Sequence, residues 1–193
     1  MKICNPLEKF NQWMDEAIVA NVDEPNAMVL STAAIHGNVT ARVVLLKGLN
    51  KNGFVFFTNY ESRKAIQLSE NPNAALTFFW KPLNRQVRVE GIVKKTSRKE
   101  SRAYFESRPL ESRINASISP QSAIIPDRGF LLALREGFML DLGGRPPQCP
   151  ENWGGYCLTA KLIEFWQGRE FRLHERIRYR LVNRKWVCEI LAP

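Results

Sequence analysis

Arg172, His174 and Arg176 alternate with Leu173, Glu175 and Ile177 near the end of the chain, inside EFWQGREFRLHERIRYR from Glu164 to Arg180. In an extended strand that spacing sets the two arginines and the histidine on one face. Two guanidinium groups beside an imidazole repel one another unless an anion lies between them. Arginine also grips planar carboxylate or phosphate groups through paired hydrogen bonds. Histidine exchanges a proton near neutral pH. The pattern predicts a site for a small anion, with His174 donating or accepting a proton. An exposed edge strand that carries basic residues against aggregation would show the same spacing. This segment alone leaves both readings open.

Other groups could serve the same chemistry. Arg42 and Lys47 stand at the two ends of the apolar run ARVVLLK, where simple snorkelling at strand ends is the plainer reading. Thr58-Asn59 runs into Glu61-Ser62-Arg63-Lys64, where a strand gives way to a helix start. Free backbone amides and the positive dipole end favour a phosphate there. Gln86, Arg88 and Glu90 share one strand face, with Val87 and Val89 on the other. Tyr104 and Arg108, four apart, are neighbours on a helix. Pro109 is expected to end that helix and Ser112 to return nearby, so phenol, guanidinium and hydroxyl form a second phosphate-type cradle. Gln121-Ser122 lies in a loop, and Trp166 offers an aromatic platform. Paired carboxylates, a nucleophile beside a histidine and a metal-ligand cluster are all missing. Hydrolytic and metal chemistry are therefore unsupported. A redox reaction between two phosphorylated aromatic molecules needs the parts present: one phosphate on an electron-holding cofactor, the other on the substrate.

The elements that must position these residues read as mostly β. Short strand-like segments, AMVLSTAAI, VTARVVLLKGL, GFVFFTN, AALTFFW and RQVRVEGIVKKT, are separated by turn signals such as Asn50-Lys51-Asn52-Gly53 and Asn71-Pro72-Asn73. YCLTAKLIEFWQG, FRLHERIRYRL and KWVCEIL follow as three more. Such short, regular spacing predicts an antiparallel barrel or sandwich. Helices are expected over 5–20, with Leu7, Phe10, Trp13, Met14, Ala17 and Ile18 facing inward, over 62–69, over 97–107 behind a Ser97/Glu100 cap, and over 128–141. Residues 143–150 must form a loop. The chain has 193 residues and a net charge of +9. Its basic residues are scattered, without a nucleic-acid-binding signature, so no nucleic-acid partner is expected. No run approaches the roughly 18 to 20 apolar residues of a membrane span, and the stretch MKICNPLEKFNQW lacks the apolar core of a secretory signal, so none is expected. Cys4, Cys149, Cys157 and Cys188 lack metal-type spacing, and free thiols in a reducing cytoplasm are expected.

The motifs RVVLLK (42–47), FFTNYESRKA (56–65), RQVRVEG (85–91), YFESRP (104–109), QS (121–122), WGG (153–155), FWQG (165–168), RLHER (172–176) and the terminal LAP (191–193) occur in one order. In this the chain resembles the pyridoxine/pyridoxamine 5′-phosphate oxidase family, FMN enzymes that make pyridoxal 5′-phosphate. The resemblance implies an α+β chain, mostly β with flanking helices: an antiparallel FMN-binding split β-barrel spanning 1–193 as a single domain. It implies a homodimer with flavin at the subunit interface, and oxidation of a B6 phosphate by dioxygen with release of hydrogen peroxide. Carried over by position, the FMN contacts are Arg42, Val43, Val44, Leu45, Leu46, Lys47, Phe57, Thr58, Arg63, Lys64, Gln86, Gln121, Ser122, Trp166 and Arg176. The substrate contacts are Lys47, Tyr104, Arg108, Ser112, Arg172, Leu173 and His174. Arg172 and His174 would hold the pyridine ring against the flavin. Two positions depart from the family pattern. Phe57 stands where Tyr is common, leaving only a backbone or packing contact. RLHER replaces RLHDR, with Glu175 expected on the face opposite Arg172 and His174. Some barrel relatives take phenazine precursors, but the intact RLH favours the B6 substrate.

Overall fold

The computed structural model describes residues 5–193, and Cys4 lies outside that range. The first helix, α1 (Pro6–Val19), starts where the Asn5 side chain accepts the Leu7 N–H at 3.1 Å and Pro6 takes the first turn. Phe10, Trp13 and Ala17 enter the core from it. Ile18, expected to join them, is exposed. It stands about 100° around the helix from Ala17, beyond the buried stripe.

Nine strands follow: β1 (Ala27–Ala33), β2 (Val39–Leu45), β3 (Gly48–Asn50), β4 (Gly53–Asn59), β5 (Asn73–Trp80), β6 (Arg85–Lys95), β7 (Trp153–Gln167), β8 (Glu175–Val182) and β9 (Lys185–Leu191). Their main path runs β2-β1-β5-β6-β7-β4-β3, and every pairing is antiparallel. β2 and β3 end that path on opposite sides, yet only Leu46 and Lys47 separate them in the chain. The sheet must therefore curl until its two edges meet. At the junction the Lys47 N–H donates to the Val55 carbonyl and the Leu46 N–H to the Asn26 carbonyl, both at 2.8 Å. The expected continuous strand VTARVVLLKGL breaks here, because the chain passes from one edge of the barrel to the other. Along β7, one side pairs with β6 from Tyr156 to Gln167. The other side divides, Trp153–Leu158 going to β4 and Leu162–Gln167 to β8. That fork is the split in the barrel.

Register fixes two faces. Leu30, Leu76, Val89, Ile163 and Tyr179 pair in a row across β1, β5, β6, β7 and β8, and all are buried. Side chains directly opposite one another share a face, and the next residue along each strand faces the other way. The inner face is therefore apolar and closed along this row, and it turns polar past Leu30, where Thr32 is buried opposite Thr40. The outer face carries Val29, Phe79, Gln86, Arg88, Trp166 and Arg176.

Helices α2 (Arg63–Glu70), α3 (Arg98–Ser107), α4 (Leu110–Ile118) and α5 (Arg128–Leu142) complete the chain. The expected capping box is present at α3: Ser97 Oγ accepts the Glu100 N–H at 3.1 Å, and Glu100 Oε2 accepts the Ser97 N–H at 2.9 Å. Pro109 ends α3, as its fixed φ and missing N–H require. The same residue then caps α4, so Ser112 lies on a helix that the sequence reading did not anticipate. Gly143 closes α5 in the left-handed conformation at φ 54°. Cys149, Cys157 and Cys188 form no disulfide. No described helix is long and apolar enough to cross a membrane.

Candidate active site

Arg42, Arg63 and Lys64 form a knot of positive charge at one end of the barrel. Arg42 pairs with Leu30 in the register and so belongs to the inner face. Its Nη1 donates to the Leu30 carbonyl at 2.9 Å and to Thr32 Oγ1 at 2.7 Å, and its Nη2 donates to Thr40 Oγ1. Lys64 sits in the first turn of α2. Its Nζ donates to Thr58 Oγ1 at 3.2 Å, Gln121 Oε1 at 3.1 Å and Ser62 Oγ at 3.3 Å. Burial, reinforced by the nearby charge of Arg42, brings the Lys64 pKa down to about 8. Burial and then Arg63 lower that of Arg42. None of the three has a carboxylate partner among the described residues. Mutually destabilised cations beside a helix start, held by neutral acceptors, suit a phosphate. The adjoining cleft, about 580 Å³, is lined in part by Arg63, Gln121 and Ser122. A larger cleft of about 1010 Å³ lies between α3, α4, α5 and residues 145–151, and none of the expected site residues lines it.

A second group gathers around Phe57. Its ring stacks on Tyr104 at 3.9 Å and 18°, and on Trp153 at 5.5 Å and 11°. Phe57 thus works by packing, as its lack of a hydroxyl requires. Arg108, at the end of α3, lies over Trp153 with 5.0 Å to the ring centroid. Its Nη1 is buried without a hydrogen-bond partner, and burial lowers its pKa. A guanidinium nitrogen left unpaired in this way can donate to an anion. Ser112 is half-buried on α4, and Lys47 is exposed at the β2–β3 link. Along the 42–47 run, Leu46 is buried, Val44 and Leu45 are half-buried and Val43 is exposed.

The third group lies on the outer face. Gln86 pairs with Trp166, and Trp166 with Arg176, in three adjacent strands. The His174 ring is tilted against Trp166 at 4.7 Å, and its Nδ1 accepts the Arg169 N–H at 3.2 Å. Neither Arg172 nor His174 shares a strand face with Arg176, contrary to the alternating pattern. β8 begins only at Glu175. Residues Glu170–Arg172 form a 3-10 turn in which Phe171 and Arg172 have φ of 54° and 61°. The Arg169–Glu175 ion pair at 3.1 Å ties the two ends of this turn together. Arg172 and Leu173 are exposed, and Arg172 has no polar partner among the described residues.

Arg176 is more committed than its sequence position suggested. It is ion-paired with Glu164 at 2.9 Å, and its Nη1 donates to the Ala192 carbonyl at 2.9 Å. Glu164 is buried despite lying on the outer face, and Arg88 approaches it at 3.8 Å. The sequence reading gave no role to Glu164 or to Trp153. A carboxylate at outward parity beside Trp166 was the signal for the first. The second was visible only as part of WGG.

The family model for pyridoxamine 5′-phosphate oxidase matches residues 14–134, and that for the pyridoxine 5′-phosphate oxidase C-terminal dimerisation region matches residues 153–193. A pyridoxine/pyridoxamine 5′-phosphate oxidase from Verminephrobacter eiseniae is 51% identical over 189 residues, covering 98% of this chain and 89% of that one. One from Polynucleobacter asymbioticus is 52% identical with the same coverage. The crystal structure of PhzG from Burkholderia lata 383, in complex with tetrahydrophenazine-1-carboxylic acid, superposes with a TM-score of 0.92 at 30% identity, covering 98% of this chain and 93% of that one. A pyridoxamine 5′-phosphate oxidase-related, FMN-binding protein from Nostoc punctiforme shares the fold, with a TM-score of 0.78 at 16% identity and 99% coverage of both chains.

Proposed function

The chain belongs to the pyridoxine/pyridoxamine 5′-phosphate oxidase family, and we propose that it uses FMN to oxidise pyridoxine or pyridoxamine 5′-phosphate to pyridoxal 5′-phosphate. The alcohol gives up two electrons and two protons, and dioxygen takes them as hydrogen peroxide. The amine also consumes water and releases ammonia. The observation that carries this reading is the carboxylate-free cluster of Arg42, Arg63 and Lys64, together with the unpartnered Arg108. Two separate anion positions match one phosphate on a cofactor and one on a substrate.

In this reading Arg42, Arg63 and Lys64 take the FMN phosphate, with Thr58, Gln121 and Ser122 beside it. Gln86, Trp166 and Arg176 meet the flavin ring, and Val43 to Lys47 line it. When bound, the flavin supplies the two-electron acceptor. Tyr104, Arg108, Ser112 and Lys47 bind the substrate phosphate. Arg172 and His174 orient the pyridine ring, and proximity supplies much of the rate. The whole chain acts as one split-barrel domain and as a homodimer, since the Arg42 group and the Trp166 group face opposite sides of one sheet. A second copy can bring an outer face against a first copy's phosphate end.

Purified protein should be yellow and release FMN on denaturation, identified by chromatography. With pyridoxine 5′-phosphate it should consume oxygen and form equimolar peroxide. Release of FAD, or the absence of any flavin binding, would refute the cofactor. Peroxide formation with an aromatic carboxylate but not with the B6 phosphate would move the chain toward the substrate class named for the Burkholderia structure.

A further inference from the structure

We infer that Trp153 is a positioning residue for the substrate phosphate: its indole face, anchored through Arg98, holds the Arg108 guanidinium in place of a carboxylate. This rests on the proposed function, in which Arg108 receives that phosphate. A half-buried guanidinium ordinarily acquires an acidic partner. Arg108 has none among the described residues. Its charged group lies 5.0 Å from the Trp153 ring and 6.0 Å from the Phe105 ring. A π face attracts the cation without neutralising it or occupying its in-plane donors. Those donors stay open, and phosphate is the first anion to meet them. A carboxylate in the same place would have to be displaced, and it would repel the incoming dianion.

The indole is itself fixed from several sides. It meets Phe105 edge to face at 5.1 Å and 69°, and lies parallel to Phe57 at 5.5 Å. Arg98 Nη1 donates to the carbonyls of Trp153 and Pro150, both at 2.9 Å, and Nη2 donates to that of Cys149 at 2.5 Å. Arg98 stands in the first turn of α3, inside the Ser97–Glu100 capping box. Both ends of α3 therefore reach the same residue, Arg98 at its carbonyl and Arg108 at its ring.

The test uses FMN-loaded protein and the variants Trp153→Met, Trp153→Phe and Arg98→Gln. Two readouts are taken: kcat and KM with pyridoxine 5′-phosphate, and calorimetric binding of pyridoxal 5′-phosphate. Trp153→Met should raise both KM and Kd about 5- to 30-fold, with kcat changed by less than about 3-fold. Trp153→Phe keeps an aromatic face and should recover most of the loss. Arg98→Gln keeps every ring but frees the three carbonyls, and should raise KM in the same direction. It decides the matter if the Met variant does not fold. Unchanged KM in Arg98→Gln and in folded Trp153→Met overturns the inference. So does a fall in kcat with Kd unchanged, or a Phe variant as impaired as the Met variant. Wild-type protein that binds no pyridoxal 5′-phosphate refutes the proposed function instead. Wild-type and variant proteins that bind it equally refute the positioning role alone.

Discussion

At the scale of single residues, Lys64 shows what a buried cation without a carboxylate partner costs the fold. Its pKa is about 8 in the folded protein against an ordinary 10.5. Between those values the unfolded chain binds the extra proton and the folded one does not. Stability from this group therefore rises as pH increases through about 8 toward 10.5. At pH 7 the charged amine is a burden that a bound phosphate would relieve. Lys64→Met should make the ligand-free protein more stable than wild type at pH 7, with the gap closing above pH 8. It should also abolish most of the stabilisation by inorganic phosphate. Paired thermal unfolding of the two proteins isolates the effect. The comparison is needed because burial raises the pKa of Tyr60, Tyr156, Cys149 and Cys157, so their titration weakens the fold as pH rises. A wild-type protein more stable than Lys64→Met at pH 7 without ligand would contradict the argument. The residue types of this cluster were legible in FTNYESRKA, because a strand running into a basic helix start is a local pattern. That Arg42 joins it from the inner face was not, since the pairing of β1 with β2 sets that geometry.

At the scale of elements, α3 can lie against β7 only because Gly154 has no side chain, and Gly155 beside it leaves room for Thr96 and Phe57. A Cβ on Gly155 would come within 2.5 Å of Thr96 Oγ1 and 2.8 Å of Phe57 Cε1, and one on Gly154 within 2.8 Å of Ser101 Oγ. The Gly155 N–H donates to Ser101 Oγ at 3.1 Å, tying strand to helix. Gly155→Ala should cost about 1 to 3 kcal/mol, read as a lower denaturant midpoint at unchanged m value. It should also weaken substrate binding, because Phe57 must move and carries the Tyr104 stack with it. An unchanged midpoint would show that Thr96 and Phe57 give way without cost. The capped helices were legible because Asn5 and Ser97 bond to backbone within a few residues of themselves. α4 was not, because Pro109 signals a stop and a start equally well. The segment 170–174 misled for a different reason. Its alternating Arg-Leu-His-Glu-Arg order has strand period, and neither Phe171 nor Arg172 advertises the left-handed backbone that each adopts.

At the scale of the whole molecule, the two halves of the expected flavin site lie on opposite faces of one sheet. Arg42 shares the inner face with Leu30, while Gln86, Trp166 and Arg176 share the outer face with Phe79. The outer face is also unusually apolar where β2, β1 and β5 adjoin: Val39, Val43, Val29 and Phe79 are all exposed. A two-fold partner laid on this strip would cover the apolar side chains, and an isologous contact closes as a dimer. Val29 is at the middle of the strip, paired with Val43 on one side and Thr77 on the other. It lies in neither candidate phosphate site. Val29→Glu would therefore place two like charges into such an interface, each stripped of water, without touching the cation cluster. Sedimentation should then shift from dimer toward monomer, with flavin released in proportion to the monomer formed. Inorganic phosphate should still stabilise that monomer, because Arg42, Arg63 and Lys64 belong to a single chain. A Val29→Glu monomer that retains FMN as tightly as wild type would show that one chain completes the site and that the two faces are not joined across a dimer.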